Sequence, residues 1–332
     1  MIETMAPIYH EEIPPFLRDF LSTPPMERLQ EVGMNCGCEY TVFPRFAKIP
    51  PYTRFDHSLG VALIVWHYTG DRAQTLAGLF HDIAAPVFAH TVDFLDGDHL
   101  RQESTEANTE AMIASSPEIM ALLKKQGLDV EQVSEDHRYP IANNDSPALS
   151  ADRLEYTLGN ALGYGFAGLA ELRAFYRDLT VGTDEQGREE LSFRTPEVAA
   201  DFAAVALKNS RVYVADEDRF AMETLAGVLR LALKRGVLCR ADLWRTEGEV
   251  IGKLERDTVC GVAWSRFCAL DALRRSKSCP GEDGWLCIDA KKRWIDPLVL
   301  GKGRVSAWNG SLRREMEAFR ALDFDIWLSR AE

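Results

Sequence analysis

The sequence feature that most constrains the fold is a pair of apolar helices between Arg54 and His90. From about Phe55 to His67, leucines and a tryptophan recur at three- and four-residue intervals, and small or branched apolar residues fill most other positions. This pattern predicts a helix that is buried on all sides. A second apolar helix is predicted over 72–83, because Asp71-Arg-Ala-Gln74 has the capping-box pattern that opens a helix. The rest of the chain is expected to surround this pair.

The remaining pattern predicts a mainly helical protein with short β elements. Caps, prolines and apolar spacing predict two short helices within 12–32 and further helices at 104–115, 117–126, 129–136, 149–162, 167–178, 196–208, 215–235, 240–256, 262–275 and 312–320. Alternation around a turn predicts a β-hairpin over 179–194, and short strands are predicted within 285–300 and at 304–308. A short extended piece is predicted at 40–43 and a polar loop over 91–103. The expected fold class is all-α with small β-hairpin and strand excursions.

The domain prediction follows from this order of elements. A chain of 332 residues with 46% hydrophobic content can bury a sizeable core. We assign residues 1–178 to a core that holds the candidate site, and residues 179–332 to a helical extension with short β elements. No linker composition separates the two, so we expect them to pack as one unit.

Composition narrows the classes of partner. The chain has 38 Lys and Arg against 51 Asp and Glu, and the net charge of −13 disfavours broad binding to nucleic acid or to an anionic membrane. The N-terminus has no apolar run of signal-peptide length, and no later run approaches the ~18 apolar residues of a membrane span. Seven irregularly spaced cysteines indicate reduced thiols rather than disulfides. Cys36-Gly-Cys38 resembles half of a zinc site, but no second close pair completes it, so two buried thiols are expected there. A cytoplasmic protein is expected.

Four residues in and near the apolar helices form a candidate metal site. His57 lies on the first helix, His81 and Asp82 lie in the last turn of the second, and Asp152 lies in the first turn of a later helix. Two imidazoles and two carboxylates suit Mn, Fe, Co, Ni or Zn better than Mg or Ca. A divalent ion lowers the pKa of bound water and polarises a phosphoryl oxygen, so hydrolysis of a phosphoester or phosphoanhydride is expected. Taken alone, a His-Asp pair is also common as a helix cap.

The order of these motifs resembles the HD-domain superfamily of metal-dependent phosphohydrolases. A histidine, a buried helix, a His-Asp pair and the run Asp-Arg-Leu-Glu-Tyr at 152–156 follow one another. The run Arg54-Phe-Asp-His57-Ser-Leu-Gly60-Val is similar to a motif of the branch that contains deoxynucleoside triphosphate triphosphohydrolases, as are Pro25-x-x-Arg28-Leu29 and Tyr40-Thr-Val-Phe43-Pro44. The resemblance covers roughly residues 10–165. It implies a mainly helical fold and the metal ligands His57, His81, Asp82 and Asp152.

The resemblance also implies roles for residues beside the ligands. Arg54 matches an arginine near the substrate phosphates, and a surface or interface salt bridge is the alternative. His90 matches a histidine close to the reacting phosphate, where it would act as general acid or orient the water. Arg153, Tyr156 and Asn160 match positions that contact substrate, and core packing is the alternative for Tyr156.

Two departures set this chain apart from the nucleotide-hydrolysing members of that branch. Ala85 stands where they have a second catalytic histidine, and Gln102-Glu103 stands where they have His-Glu. The missing imidazoles favour a different phosphorylated substrate. Glu103 or His99 could supply a replacement acid or base, while the surroundings of His99 are also typical of a solvated loop.

The sequence therefore predicts a metal-dependent phosphohydrolase that acts on a nucleotide or a related small phosphorylated metabolite. The branch often associates, which also makes a homo-oligomer a candidate. One alternative is a di-iron oxygenase of the HD type, with further ligands from His90, His99 or His137. The other is a non-catalytic nucleotide sensor, which Ala85 and Gln102 suggest.

Overall fold

The apolar helix predicted from Phe55 to His67 lies at the centre of the molecule. A computed structural model describes residues 1–100 and 108–331. Within them the helices are α1 (Ile2–Tyr9), α2 (Pro15–Leu21), α3 (Pro24–Arg28), α4 (Arg54–Thr69), α5 (Arg72–Phe80), α6 (Thr91–Asp96), α7 (Thr109–Ser115), α8 (Pro117–Gln126), α9 (Ala151–Gly163), α10 (Leu169–Asp178), α11 (Pro196–Val212), α12 (Asp216–Lys234), α13 (Glu247–Arg256), α14 (Thr258–Cys268), α15 (Val305–Trp308) and α16 (Gly310–Arg320).

The strands are few and short. They are β1 (Leu179–Thr183), β2 (Glu189–Phe193), β3 (Leu273–Ser276), β4 (Leu286–Cys287), β5 (Leu298–Val299), β6 (Gly303–Arg304) and β7 (Trp327–Arg330). One sheet has the order β1-β2-β5-β6 and the other the order β3-β7-β4. Strands β1 and β2 form the predicted antiparallel hairpin, with Leu179 opposite Phe193. The mainly helical fold class with small β excursions is confirmed.

Helix α4 is positioned by its cap and by burial on every face. The Thr53 side chain accepts from the backbone N–H of Asp56, and the Asp56 carboxylate accepts from the N–H of Thr53, which completes a capping box. Every residue from Leu59 to Val65 is buried. Helices α1, α5 and α9 pack around this segment. The prediction of a fully buried helix is confirmed from His57 to Val65, whereas Phe55 and Trp66 are partly exposed and His67 is exposed.

Gly60 allows α9 to approach α4 closely. A Cβ added at Gly60 would lie 2.6 Å from the Cγ of Glu155 on α9. Any larger side chain would therefore force the two helices apart. The glycine of the motif that begins at Arg54 thus has a steric role beside the candidate site.

The apolar core has three large clusters. Two of them contain residues from both predicted regions, 1–178 and 179–332. The first cluster joins α1, α4, α9, α10 and α11, so that Leu63 and Phe202 belong to one core. The second joins α12, α13 and α14 to loops of the N-terminal half, so that Phe43 and Leu254 belong to one core. The third packs α2, α5 and α8 together.

One local prediction in the N-terminal half is confirmed only in part and another is wrong. Of the extended piece predicted at 40–43, Tyr40 ends the 3₁₀ turn Cys38–Tyr40 and Thr41 is extended, with its hydroxyl donating to the carbonyl of Cys38 at 2.7 Å. The expected loop at 91–103 begins with α6, which packs against α12 and buries Val92 and Phe94 in the second apolar cluster.

Other elements differ in length. The structure shortens three predicted helices: 129–136 has the 3₁₀ turn Val130–Gln132, 240–256 begins with the 3₁₀ turn Arg240–Trp244, and 262–275 gives way to β3. Helix α13 begins after Thr246, whose side chain forms a capping box with Glu249. The predicted strand at 304–308 is mostly the short helix α15, and α1 was not predicted at all.

No helix among the described residues combines the length and the apolar character needed to cross a bilayer. All seven cysteines are free thiols, and of the pair near the N-terminus Cys38 is buried and Cys36 is partly buried.

Candidate metal centre and substrate cleft

Three helices bring the predicted metal ligands to one place. His57 lies in the first turn of α4, and Asp152 is the second residue of α9, whose N-cap Ser150 accepts from the N–H of Arg153. Helix α5 ends at Phe80, so His81 caps it and Asp82 follows directly. The His-Asp pair therefore lies just beyond the helix end rather than within its last turn.

His57, His81 and Asp152 form a compact cluster at the base of a cleft. The two Nε2 atoms are 3.1 Å apart, and Asp152 Oδ1 lies 3.1 Å from the Nε2 of His57 and 3.8 Å from that of His81. Among residues 1–100 and 108–331, this is the one group of three or more histidine, cysteine or acidic side chains whose ligand atoms all lie within 4.8 Å of one another.

The outer nitrogens of both rings are already bonded, which directs the inner nitrogens at the cluster. His81 Nδ1 donates to the carbonyl of Gly78 at 2.8 Å, and His57 Nδ1 donates to Glu155 at 2.6 Å. The Nε2 atoms therefore present lone pairs toward each other and toward Asp152, an arrangement that needs a cation or a proton between them. Two imidazoles and a carboxylate are a suitable donor set for a divalent transition ion.

The neighbouring groups also shift the pKa values of His57 and Asp152, each toward the charged form of the side chain. Burial lowers the pKa of His57, but hydrogen bonds to Asp152 and Glu155 outweigh burial and raise it to about 10. Burial raises the pKa of Asp152, but its hydrogen bond with His57 dominates and lowers that pKa to about 2. The carboxylates of Asp152 and Glu155 thus favour positive charge at this position, which is a condition for binding a cation.

Glu155 supports His57 from behind, and sequence reasoning did not single it out. Its side chain is fully buried, accepts from His57 and Tyr52 at Oε2, and accepts from Tyr9 at Oε1 over 3.2 Å. A signal was present, because Glu155 follows Asp152 by three residues and so shares its face of α9.

Asp82 stands beside the cluster in a buried ion pair with Arg54. Asp82 Oδ2 lies 2.5 Å from Arg54 Nη1, 3.5 Å from the Nε2 of His81 and 3.9 Å from that of His57. Burial raises the pKa of the Asp82 carboxyl, but Arg54 and the imidazoles hold it well below its usual range. The ion pair of Arg54 is buried in the cleft and is not the surface or interface salt bridge given as its alternative, and the ligand role of Asp82 stays a prediction.

Arg28 fixes the backbone that follows the His-Asp pair. Its Nη2 donates to the carbonyls of Ile83 at 3.0 Å and of Ala85 at 2.8 Å. Ala85 is fully buried in the apolar cluster of α2 and α5 and does not line the cleft. The motif Pro25-x-x-Arg28 therefore holds the turn that carries His81 and Asp82.

His90 lies in a strained turn and is held on both ring nitrogens. The two residues before it, Phe88 and Ala89, have positive φ angles of 56° and 42°. Its Nδ1 donates to Asp93 Oδ2 at 2.9 Å, and its Nε2 accepts from Arg293 Nη2 at 3.3 Å. Burial, with the nearby charges of Arg293 and Arg54, lowers the pKa of His90 to about 4 despite the bond to Asp93.

The cleft has a volume of about 180 Å³, and two predicted substrate-contacting residues line it. Tyr156 and Asn160 face it, and Asn160 Nδ2 donates to the hydroxyl of Tyr213 at 2.8 Å. Arg153 does not line it, since its guanidinium donates to the carbonyls of Ala148 and Asn144.

Sequence reasoning missed several lining residues, which come from distant segments: Asn35, Tyr164, Tyr213, Asp218, Lys291 and Arg293. No spacing in the sequence links them to the His-Asp pair.

The remaining candidates lie elsewhere. Glu103 and Gln102 are outside the described residues. His99 stacks on Phe94, with ring centroids 4.7 Å apart. The Nε2 of His137 lies 3.3 Å from the Nδ2 of Asn143. Neither His99 nor His137 joins the ligand cluster.

Comparison with known proteins finds distant relatives of this chain. No protein-family model matches the chain. The chain is 28% identical over 240 residues to an uncharacterized protein, YdhJ, of Bacillus subtilis, covering 72% of this chain and 70% of that one. It is 25% identical over 254 residues to the metal-dependent phosphohydrolase cns2 of Cordyceps militaris, covering 74% of this chain and 64% of that one.

Two further matches are with proteins whose names give no activity. An uncharacterized protein of Methanocaldococcus jannaschii is 26% identical over 171 residues, which are 49% of this chain and 34% of that one. A crystal structure of a hypothetical protein from Aquifex aeolicus superposes with a TM-score of 0.66 at 18% identity, over 96% of this chain and 93% of that one. This last match supports the fold alone.

Proposed function

We propose that this chain is a metal-dependent phosphohydrolase of the HD type that cleaves a phosphoester or phosphoanhydride bond in a nucleotide or a related small metabolite. The observation that carries the proposal is the pair of imidazole nitrogens 3.1 Å apart that converge with Asp152 at the base of a cleft. The name of the Cordyceps militaris relative and this cluster together support a metal-dependent hydrolase.

The chain's own residues prepare the site for such a reaction. His57, His81 and Asp152 would hold the ion, Glu155 and the carbonyl of Gly78 fix the two rings, and Arg54 holds the carboxylate of Asp82 toward the imidazoles. When bound, a divalent ion supplies a water of lowered pKa and neutralises charge on the phosphoryl group. Hydrolysis adds water across the P–O bond. The products are a phosphate and a protonated leaving group, which is an alcohol for a phosphoester and a second phosphate for a phosphoanhydride.

Aromatic and amide side chains that line the cleft support a nucleotide as substrate. Tyr164 and Tyr213 offer aromatic faces, and Tyr164 donates to the side-chain oxygen of Asn35 at 3.2 Å. Aromatic faces and amides are groups that bind a nucleobase by stacking and by hydrogen bonding. These tyrosines and the ligand cluster line the same cleft, which could therefore take a base and a phosphate together.

The test is release of inorganic phosphate from nucleoside mono-, di- and triphosphates and from simple phosphomonoesters, with Mn, Fe, Co, Ni or Zn added in turn. We expect activity that chelation removes, that metal restores, and that Asp152→Ala loses while the exposed Asp271→Ala keeps it. Full activity in Asp152→Ala would show that the proposed site is wrong. Two irons per chain with oxygen consumption would favour the oxygenase, and nucleotide binding without turnover would favour the sensor.

A further inference from the structure

Arg293 reaches the cleft from the C-terminal part of the chain, between β4 and β5. It lines the same cavity as His57, His81 and Asp152, although more than a hundred residues separate it from α9. Its segment is held in place on the N-terminal half, because Ser146 donates to the carbonyl of Trp294 at 2.7 Å and the N–H of Asp296 donates to the carbonyl of Pro147 at 3.0 Å.

The guanidinium of Arg293 has an unusual partner. Within the described ranges no carboxylate lies at ion-pair distance from it, and its recorded contact is with Nε2 of His90 at 3.3 Å. Arg54, the other guanidinium in the cleft, is instead neutralised by Asp82 at 2.5 Å. A half-buried arginine without a carboxylate is a binding group for an anion, and its planar fork matches two phosphate oxygens.

His90 is arranged to accept a hydrogen bond from Arg293. A guanidinium only donates, so Nε2 of His90 must carry the lone pair and Nδ1 must carry the proton that goes to Asp93. The positive φ angles at Phe88 and Ala89 set the direction of this ring, and Glu247 accepts from the N–H of Phe88 at 3.2 Å. Asp93, His90 and Arg293 thus form a chain of bonds that ends at the cleft.

We propose that Arg293 binds the phosphate group of the substrate and that His90 positions Arg293 rather than transferring a proton. The inference rests on the proposed function, since it assigns a phosphate to the same cleft. It gives the C-terminal extension a direct part in substrate binding. Ala85 stands where the nucleotide-hydrolysing members have a second histidine, and Arg293 would supply a positive group for the phosphate in its absence.

The test measures binding of inorganic phosphate by calorimetry, separately from turnover, on the full chain. Arg293→Gln is expected to weaken phosphate binding by roughly ten- to a hundredfold, as for loss of charge-assisted hydrogen bonds. Arg313→Gln, which removes the same group from the exposed side of α16, is the matched control and should bind as wild type. Equal phosphate affinity in Arg293→Gln and Arg313→Gln would overturn the role of Arg293.

Two variants of His90 separate positioning from proton transfer. His90→Ala should lose phosphate affinity, and His90→Gln should restore most of it, because the glutamine Oε1 can accept from Arg293 where Nε2 did. If His90→Gln fails to restore phosphate binding, the positioning role of His90 is wrong. If it restores phosphate binding but turnover stays as low as in His90→Ala, His90 also transfers a proton, which contradicts the claim that it does not. Metal content and thermal unfolding of each variant show that the site is still folded.

The two proposals fail in distinguishable ways. A wild-type chain that binds phosphate through Arg293 but hydrolyses no substrate contradicts the proposed function and leaves Arg293 as the anion site. A chain that hydrolyses substrates with unchanged phosphate affinity and KM in Arg293→Gln contradicts only the inference about Arg293.

Discussion

Glu155 is the single residue on which the orientation of the candidate metal centre most depends. It holds His57 from behind at 2.6 Å and is itself held by the hydroxyls of Tyr9 and Tyr52. Partners of this kind fix the tautomer and raise the basicity of a ligand histidine.

We therefore expect Glu155→Gln to weaken metal binding by about 10- to 100-fold while the chain stays folded. The amide keeps the size of the carboxylate but lacks its charge, so His57 is a weaker donor to the ion. Competition with a chelator measures the affinity, and Glu171→Gln on the exposed side of α10 is the control. Unchanged affinity in Glu155→Gln would mean that His57 does not bind the ion.

At the scale of elements, the crossing of α4 and α9 determines how the ligands meet. Gly60→Ala places a methyl group 2.6 Å from the Glu155 side chain, and such overpacking costs about 1–3 kcal/mol of stability. Urea unfolding should show this loss. Gly252→Ala in α13 is the matched control, because a Cβ there meets no atom within 4 Å and should stabilise the helix by about 0.5–1 kcal/mol. A Gly60→Ala protein as stable as wild type would contradict the close crossing.

A second prediction concerns the loop between α3 and α4, where Glu39 lies near Glu247. Glu247 accepts from Gly33 at 2.9 Å, from Tyr40 at 2.7 Å and from Phe88 at 3.2 Å, as a carboxylate would. Burial, and then the charge of Glu247, raise the pKa of Glu39 from 4.5 to about 8.

Between these two values the folded protein keeps a proton on Glu39 that the unfolded chain has released. Stability should therefore fall as the pH rises from about 4.5 to 8, by at most about 1.4 kcal/mol per pH unit for this one group, and then level off. Glu39→Gln does not have this titrating group, so its free energy of unfolding relative to the wild type should rise between pH 5 and pH 8. Urea unfolding at several pH values measures it, with the exposed Glu131→Gln as control. A gain that does not change with pH would contradict the raised pKa.

The elements also show what the sequence could and could not predict. Helix α4 and the hairpin β1–β2 were predictable, because each has a local period and a local capping or turn signal. The direct contact of Glu155 with His57 was within reach, since its spacing from Asp152 is local. The stretch at 91–96 was misjudged because Val92 and Phe94 form a helix only by packing against α12, which is distant in sequence. Arg293 was beyond prediction for the same reason, since tertiary structure alone brings it to His90.

At the scale of the whole molecule, the N-terminal and C-terminal parts share their cores. Leu63 packs in one cluster with Phe202, and Phe43 packs in another with Leu225 and Leu254. We propose that the two predicted regions, 1–178 and 179–332, fold as one unit.

A chain shortened to residues 1–178 should therefore fail to fold cooperatively, because it would expose the faces of α9 and α10 that α11 covers. Thermal and urea unfolding should show no sharp transition, and a dye for exposed apolar surface should bind. A cooperative transition in the shortened chain, comparable with that of the full chain, would show that the first region is an independent domain.

The central claim is that a divalent ion binds between His57, His81 and Asp152. Anomalous X-ray scattering from crystals grown with Mn²⁺ tests it most directly. The predicted result is a strong anomalous peak between the Nε2 atoms of both histidines and the Asp152 carboxylate, absent in Asp152→Asn. A map without a peak at this position in the wild-type protein, or with an equally strong peak there in Asp152→Asn, would contradict it.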